Sequence, residues 1–403
     1  MAEPRTCTAR WVVPVASPPL ERGTITVEGT TITAVEPRGT RTPDVDLGNV
    51  AIIPGLVNCH THLDLSGARG KIPPTDPDHF TDWLRGVIAY RRSRSPADVQ
   101  ADVRAGLAEC LQFGTTLLGD ITAGGASWDA VAAADVRGVV FYEMIGLSES
   151  RAAETLASAE SWLMTRTQLG SVRPGLSPHA PYSVNRSLFP AAGQLCRVQK
   201  WPTAIHLGES RHEIDLLHRK AGPFRQFLTE VGAWHAEGLA DDFTSIMKSC
   251  DFRQPKLFIH MNHVAPTARI QRNSSCIYCP RTHAAFRHPR HPFPEFQARG
   301  VRVALGTDSL ASNPDLDLLA EARFVHAIRP EVPREELLRM ATLTGAEALG
   351  WADETGSLEV GKSADLVALP LPDRGAADPH ELIFGDDFPN GERRTMFRGS
   401  WRE

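Results

Sequence analysis

From about residue 50 onward, short apolar runs alternate with longer amphipathic segments, the pattern of a parallel sheet whose strands are joined by crossover helices. Eight such runs can be counted: Gly55–Cys59, Thr115–Ile121, Val139–Ile145, Val172–Ser177, Thr203–Leu207, Leu257–His260, Ser275–Tyr278 and Val301–Gly306. They predict an α/β fold, a TIM-type (β/α)8 barrel over residues 51–355. The clearest helix runs from Pro96 to Phe113. It opens at Ser95-Pro96, places Val99, Val103, Leu107 and Leu111 at four-residue steps, and stops at Gly114.

Several runs end in polar clusters: Cys59-His60-Thr61-His62, Ser177-Pro178-His179, His206-Leu207-Gly208-Glu209, His260-Met261-Asn262-His263 and Gly306-Thr307-Asp308-Ser309. In such a barrel the C-terminal strand ends converge on one face, so residues remote in sequence meet there. His60 and His62 stand two apart, and strand alternation points both imidazoles to the same side. A His-x-His pair alone is weak, because packing or surface histidines produce it as readily. His206 and Asp308 also close predicted strands, however, and complete a set of three nitrogens and one oxygen. That set suits one divalent metal ion, Zn2+ or Fe2+. An ion so held would acidify water and supply a nucleophile at neutral pH.

Glu209, three residues after His206, stands where a carboxylate can shuttle a proton without being a ligand. Its plain alternative is a solvated loop glutamate. Asp308 can double as ligand and proton acceptor. His260 can donate a hydrogen bond to the reacting centre, or serve as a satisfied core histidine. A two-metal site would need a bridging ligand, commonly a modified lysine at the end of the fourth strand. That strand ends Gly175-Leu176-Ser177-Pro178-His179, so a single ion is expected.

Residues 1–50 hold strand-like runs at Gly23–Val27 and Thr31–Val35, and residues 356–403 hold others at Ala364–Leu369 and Arg394–Phe397. Neither end can bury a core alone, so the two are expected to pair into a small β-sandwich. The stretch Pro370 to Asp387 reads as a surface excursion. A net charge of −5 without a clustered Lys/Arg stretch gives no footprint for nucleic acid or an acidic membrane, and points to a small-molecule substrate. No run approaches the roughly 20 apolar residues that span a bilayer. Seven irregularly spaced cysteines and an N-terminus without an apolar signal core read as a cytoplasmic protein with reduced thiols. The lone Cys276-Ile277-Tyr278-Cys279 reads as structural thiols rather than a zinc ribbon. Homo-oligomerisation is left open.

The run Ile53-Pro54-Gly55-Leu56-Val57-Asn58-Cys59-His60-Thr61-His62, the stretch Gly306-Thr307-Asp308-Ser309 and the closing Leu358-Glu359-Val360-Gly361-Lys362-Ser363-Ala364-Asp365-Leu366 resemble the amidohydrolase superfamily over nearly the whole chain. His206 with Glu209 and the single His260 resemble its mononuclear deaminase branch, which implies hydrolytic attack on an amidine carbon of a heterocycle with loss of ammonia. Three pieces resemble 6-aminodeoxyfutalosine deaminases and relatives acting on adenosine or S-adenosylhomocysteine: His62-Leu63-Asp64-Leu65-Ser66, Phe80 to Ile88 and Cys279-Pro280-Arg281-Thr282-His283. The resemblance implies that His179 contacts the base or ribose; Ser309 is a further candidate substrate contact, and Trp83, Arg281 and His283 read either as substrate contacts or as ordinary packing or surface residues. Asp64 departs from the glutamate common in relatives, and residues 210–255 match none of these patterns.

Two other readings stay open at this point. The same site could cleave a cyclic or acyl amide, or a chlorinated triazine; alternatively, the barrel could be a non-catalytic scaffold. In His288-Pro289-Arg290-His291-Pro292 the histidines read either as closing over a ligand or as solvated on a rigid loop.

Overall fold

The computed structural model describes residues 3–166 and 170–402. Each of the eight apolar runs forms a strand: β1 (Leu56–Thr61), β2 (Thr115–Ala123), β3 (Arg137–Met144), β4 (Val172–Pro178), β5 (Thr203–Leu207), β6 (Lys256–His260), β7 (Ser274–Tyr278) and β8 (Arg302–Leu305). They lie side by side in chain order in one sheet. Nearly every strand residue is buried, as expected when both faces of a parallel sheet are covered. The first and last strands meet at a parallel bridge between Thr61 and Asp308, where the Asp308 N–H donates to the His60 carbonyl at 2.9 Å. That bridge closes the sheet into a barrel and sets the last polar cluster beside the first.

Helix α1 (Phe80–Arg92) follows β1, and α2 (Pro96–Gln112) coincides with the helix read from the sequence. Phe80, Trp83, Val87 and Tyr90 of α1 enter an apolar cluster with Leu65, Tyr182, Phe224, Phe227 and Phe286. The aromatic residues of this cluster meet edge to face or stacked, with Tyr182 and Phe224 4.3 Å apart.

The chain divides into two compact units, one of Met1–Asn58, Ala108–Leu118 and Asp317–Glu403, the other of Cys59–Leu107 and Gly119–Leu316. In the first, a four-stranded sheet is built from N-terminal strands alone. A six-stranded sheet interleaves both chain ends, pairing Val50–Pro54 with Leu366–Pro370. Ile25, Val27 and Ile32 from one sheet and Val12, Ile52, Leu366 and Met396 from the other share one core.

One expectation is corrected, and one pair of alternatives is narrowed. Within Pro370 to Asp387, a short helix, Pro379–Ile383, is capped by the Asp378 carboxylate and buries Pro379, His380, Leu382 and Ile383, so its apolar pair is core rather than surface. His288 and His291 are buried, not solvated. The His291 ring stacks on Tyr278 at 4.1 Å, and its Nε2 lies 2.7 Å from the His260 carbonyl oxygen, to which it donates.

Candidate active site

The strand ends bring five ionisable groups together in the unit that spans Cys59–Leu107 and Gly119–Leu316. His60 and His62 come from β1, His206 from β5 and His260 from β6, while Asp308 follows β8. The ring centres of His60 lie 4.8 Å from His62, 5.0 Å from His206 and 5.7 Å from His260. Asp308 Oδ1 is 3.4 Å from His60 Nε2 and 3.8 Å from His62 Nε2. It also accepts the Ser309 N–H at 2.8 Å, and Oδ2 takes the Ser312 hydroxyl at 3.2 Å. Potential ligand atoms of His60, His62 and His206 lie within 4.8 Å of one another, as do those of His60, His260 and Asp308. His260 and Asp308 hold positive φ angles of 68° and 62°, so the backbone is held in the disfavoured left-handed region where two of these groups leave their strands.

Hydrogen bonding decides which ring nitrogens are available. His62 Nδ1 lies 2.9 Å from the Ile121 carbonyl and His206 Nδ1 3.1 Å from the His179 carbonyl. A carbonyl can only accept, so both Nδ1 atoms carry the hydrogen, and both Nε2 atoms are left with a lone pair. Those two Nε2 atoms face each other at 3.2 Å. Burial and the neighbouring His60 lower the His62 pKa to about 3, and burial with neighbouring histidines holds His206 well below its ordinary value, so a shared proton is not the remedy at neutral pH. Two neutral imidazole lone pairs converging beside a carboxylate fit a divalent cation. Burial pushes the Asp308 carboxyl up, but the hydrogen bond and charge of His60 outweigh it and hold Asp308 below the carboxylate range.

Glu209 sits at the wall of this pocket with Oε1 3.4 Å from His260 Nε2. Burial, then the charges of Asp308 and Glu213, push its carboxyl well above the usual range. The loop that carries it turns at Gly208, with φ of 63°. Glu213 holds the loop in place: its Oε2 accepts the Gly208 N–H at 3.1 Å and its Oε1 the Ser210 N–H at 3.0 Å, with the Glu209 N–H also directed at it.

Of the candidate substrate contacts, Trp83, His179 and Ser309 line the pocket. Arg281 and His283 do not. Arg281 makes a two-pronged pair with Asp315, at 3.0 and 2.7 Å, and His283 packs among Tyr278, His288 and His291. Sequence reasoning passed over Arg91, Glu143 and Tyr182, which also line the pocket. The signal for Glu143 was present, as an acid near the end of the otherwise apolar third strand. Arg91 bonds Glu143 Oε2 at 2.8 Å and lies 3.2 Å from Asp64 Oδ2. A larger cavity of about 510 Å3 shares Leu84, Val87, Arg91, His179 and Tyr182 with the pocket and is otherwise walled mainly by apolar side chains such as Ile88, Leu147, Phe227 and Leu228. Ile145 and Val231, which also line it, are 44% and 38% exposed.

With this geometry in place, the chain can be assigned to a family. It belongs to the amidohydrolase family, whose model matches residues 51–402. It is 28% identical over 391 residues to the 5-methylthioadenosine/S-adenosylhomocysteine deaminase of Thermoanaerobacter pseudethanolicus, covering 91% of this chain and 84% of that protein. Its fold matches the Helicobacter pylori aminofutalosine deaminase in complex with methylthio-coformycin, with a TM-score of 0.86 and 21% identity over 99% of this chain and all of the other. It also matches a zinc-bound adenosine deaminase of Xanthomonas campestris, with a TM-score of 0.80 and 23% identity over 98% and 92% of the two chains. Among the described residues, no helix is long and apolar enough to cross a membrane.

Proposed function

We propose that this protein is a metal-dependent aminohydrolase that removes the exocyclic amino group of an adenine-type nucleoside as ammonia. The observation that carries this reading is Glu209, a buried carboxylate 3.4 Å from His260 and three residues beyond His206, directed at a donor set rather than belonging to it. His60, His62, His206 and Asp308 would hold one ion, and the nitrogen and oxygen donors accept Zn2+ or Fe2+. When bound, such an ion acts as a Lewis acid that lowers the pKa of water toward neutrality.

The chain's own groups handle the protons. Hydrolysis adds a water oxygen to the amidine carbon and breaks the bond from that carbon to the amino nitrogen. Glu209, whose carboxyl burial pushes well above the usual range, carries one water proton to the ring nitrogen beside the attacked carbon. Asp308 takes the second and passes it to the amino group, which leaves as ammonia. His260 is neutral at pH 7, because burial brings it to about 3, and its Nε2 orients Glu209 and the incoming oxygen. Trp83, Leu65, His179 and Ser309 line the pocket, and His179 and Ser309 would contact the nucleoside there. The relatives similar in sequence are named as deaminases of adenine-type nucleosides, which favours such substrates over amides or chlorinated triazines, although triazine hydrolases share the fold at a TM-score of 0.77 and 20% identity.

The test is ammonia release from a panel of 6-aminopurine nucleosides, including adenosine, 5'-methylthioadenosine, S-adenosylhomocysteine and 6-aminodeoxyfutalosine, with loss of the aminopurine absorbance. A metal-replete enzyme that yields no ammonia from any of them would sink the reading. Carboxylate or chloride release without ammonia would replace it with the alternative hydrolysis.

A further inference from the structure

A substrate whose reacting carbon lies at the metal donors and whose far substituent enters the 510 Å3 cavity must pass the residues common to both spaces: Leu84, Val87, Arg91, His179 and Tyr182. On that passage Arg91 and one ring nitrogen of His179 are already engaged. Arg91 is engaged by Asp64 and Glu143. His179 Nδ1 lies 2.7 Å from the Ser183 hydroxyl. Glu143, which lines the pocket at the metal donors beside that passage, keeps one oxygen open. Its Oε2 accepts from Arg91 at 2.8 Å, whereas its Oε1 has no hydrogen-bond partner among the described residues and lies 3.9 Å from His179 Nε2, beyond hydrogen-bond reach.

Burial would raise the Glu143 carboxyl, but Arg91 and then His179 outweigh it and bring the group to about 2, so it is ionised at neutral pH. An ionised carboxylate accepts hydrogen bonds and donates none. A buried acceptor left unmatched when a ligand expels water is costly, so the site rewards a ligand that brings a donor to that point.

We propose that Glu143 is a specificity-determining residue: its Oε1 accepts a hydrogen bond from a sugar hydroxyl of the nucleoside, while Arg91, itself held by Asp64, fixes the carboxylate through Oε2. In a nucleoside the sugar is the part between the base and the 5' substituent, and its hydroxyls are hydrogen-bond donors. The inference rests on the aminohydrolase reading above. It adds that the site distinguishes hydroxylated sugars from their deoxy analogues, and it names the residue that does so.

The experiment compares kcat/KM for ammonia release by the metal-loaded enzyme on adenosine and 5'-methylthioadenosine with the values for their 2'-deoxy, 3'-deoxy and 2',3'-dideoxy analogues. Loss of the hydroxyl that meets Glu143 is expected to lower kcat/KM by roughly 10- to 100-fold, the range for a hydrogen bond to a charged group. Glu143→Ala is expected to compress that ratio to under about 3-fold, and Glu143→Gln, which preserves the contact with Arg91 and so protects the fold, to an intermediate value. A purely structural role would lower all substrates alike and leave the ratio unchanged. Wild-type enzyme that handles dideoxy and hydroxylated substrates equally overturns the inference, as does a Glu143→Gln variant that keeps the full wild-type ratio; in both cases the aminohydrolase reading stands. Absence of ammonia from every substrate with the wild type overturns both.

Discussion

His62 and His206, 144 residues apart in sequence, face each other through Nε2 atoms separated by 3.2 Å, each made a lone-pair donor by a carbonyl that captures the opposite ring nitrogen. Two such lone pairs repel unless an electrophile lies between them, and burial keeps both rings neutral at pH 7.

Metal content follows from that pair. Purified protein is expected to carry roughly one divalent ion per chain by elemental analysis, and chelation is expected to lower Tm, because an ion bound only by the folded chain adds to its stability. His206→Ala should lose both the ion and turnover. A His206→Ala protein that retains stoichiometric metal and activity would remove the site as described.

Glu209 and Glu213 should separate chemistry from positioning. Glu209→Gln is expected to keep the ion and lower kcat by roughly 10²- to 10⁴-fold, the usual contribution of a placed general acid or base. Glu213→Gln presents an amide N–H2 to main-chain N–H groups that now meet carboxylate oxygens, so the Gly208–Ser210 loop shifts. That change should lower kcat by up to about 100-fold with metal content unchanged. Steady-state kinetics with parallel metal analysis checks both, and full activity in Glu209→Gln would end its role as shuttle.

Gly306 has a steric reason. A Cβ there would lie 2.8 Å from the His60 Cβ and 3.0 Å from the His60 backbone nitrogen. Gly306→Ala is expected to destabilise the fold by about 1–3 kcal/mol and to weaken metal retention, since His60 must move. Denaturant titration and metal analysis of the variant measure the two effects, and wild-type values for both would contradict the prediction.

Acid sensitivity has a local source in the buried His288, lowered from 6.5 to about 2 by burial and then by His283 and His263. Above about pH 6.5 the ring is neutral in both states; below it the unfolded chain takes up a proton that the folded chain refuses, so stability is lost as pH falls. His288→Gln should therefore lose stability less steeply than the wild type between pH 6 and 4, by about 1.4 kcal/mol per pH unit, one proton's worth. Chemical denaturation across that range would show parallel slopes if the assignment is mistaken.

Much of this was legible in the linear chain. The eight apolar runs became strands because a parallel sheet covered on both faces needs near-continuous apolar stretches, and that requirement is written locally. His60, His62, His206, Glu209, His260 and Asp308 could be picked out because each stands at or just beyond the end of such a run, and barrel geometry alone brings those ends to one face. The family assignment rests on the same residues and on a match over 51–402.

Side-chain partners were not legible, because they depend on which loops fold back over the barrel mouth. Arg281 read equally as a substrate contact or a packing or surface residue, and only the fold shows Asp315 paired with it; the two histidines of the 288–292 loop read equally as ligand-closing or solvated, and only the fold sets Tyr278 and Phe286 beside them. Glu143 showed only as an acid near the end of an apolar strand, and its partners, Arg91 from a helix and His179 just beyond the next strand, were not legible. Short-range periodicity set the fold and the order in which the donors appear. Long-range packing alone decided which nitrogens point at one another, which charges are already satisfied, and which oxygen is left to meet a ligand.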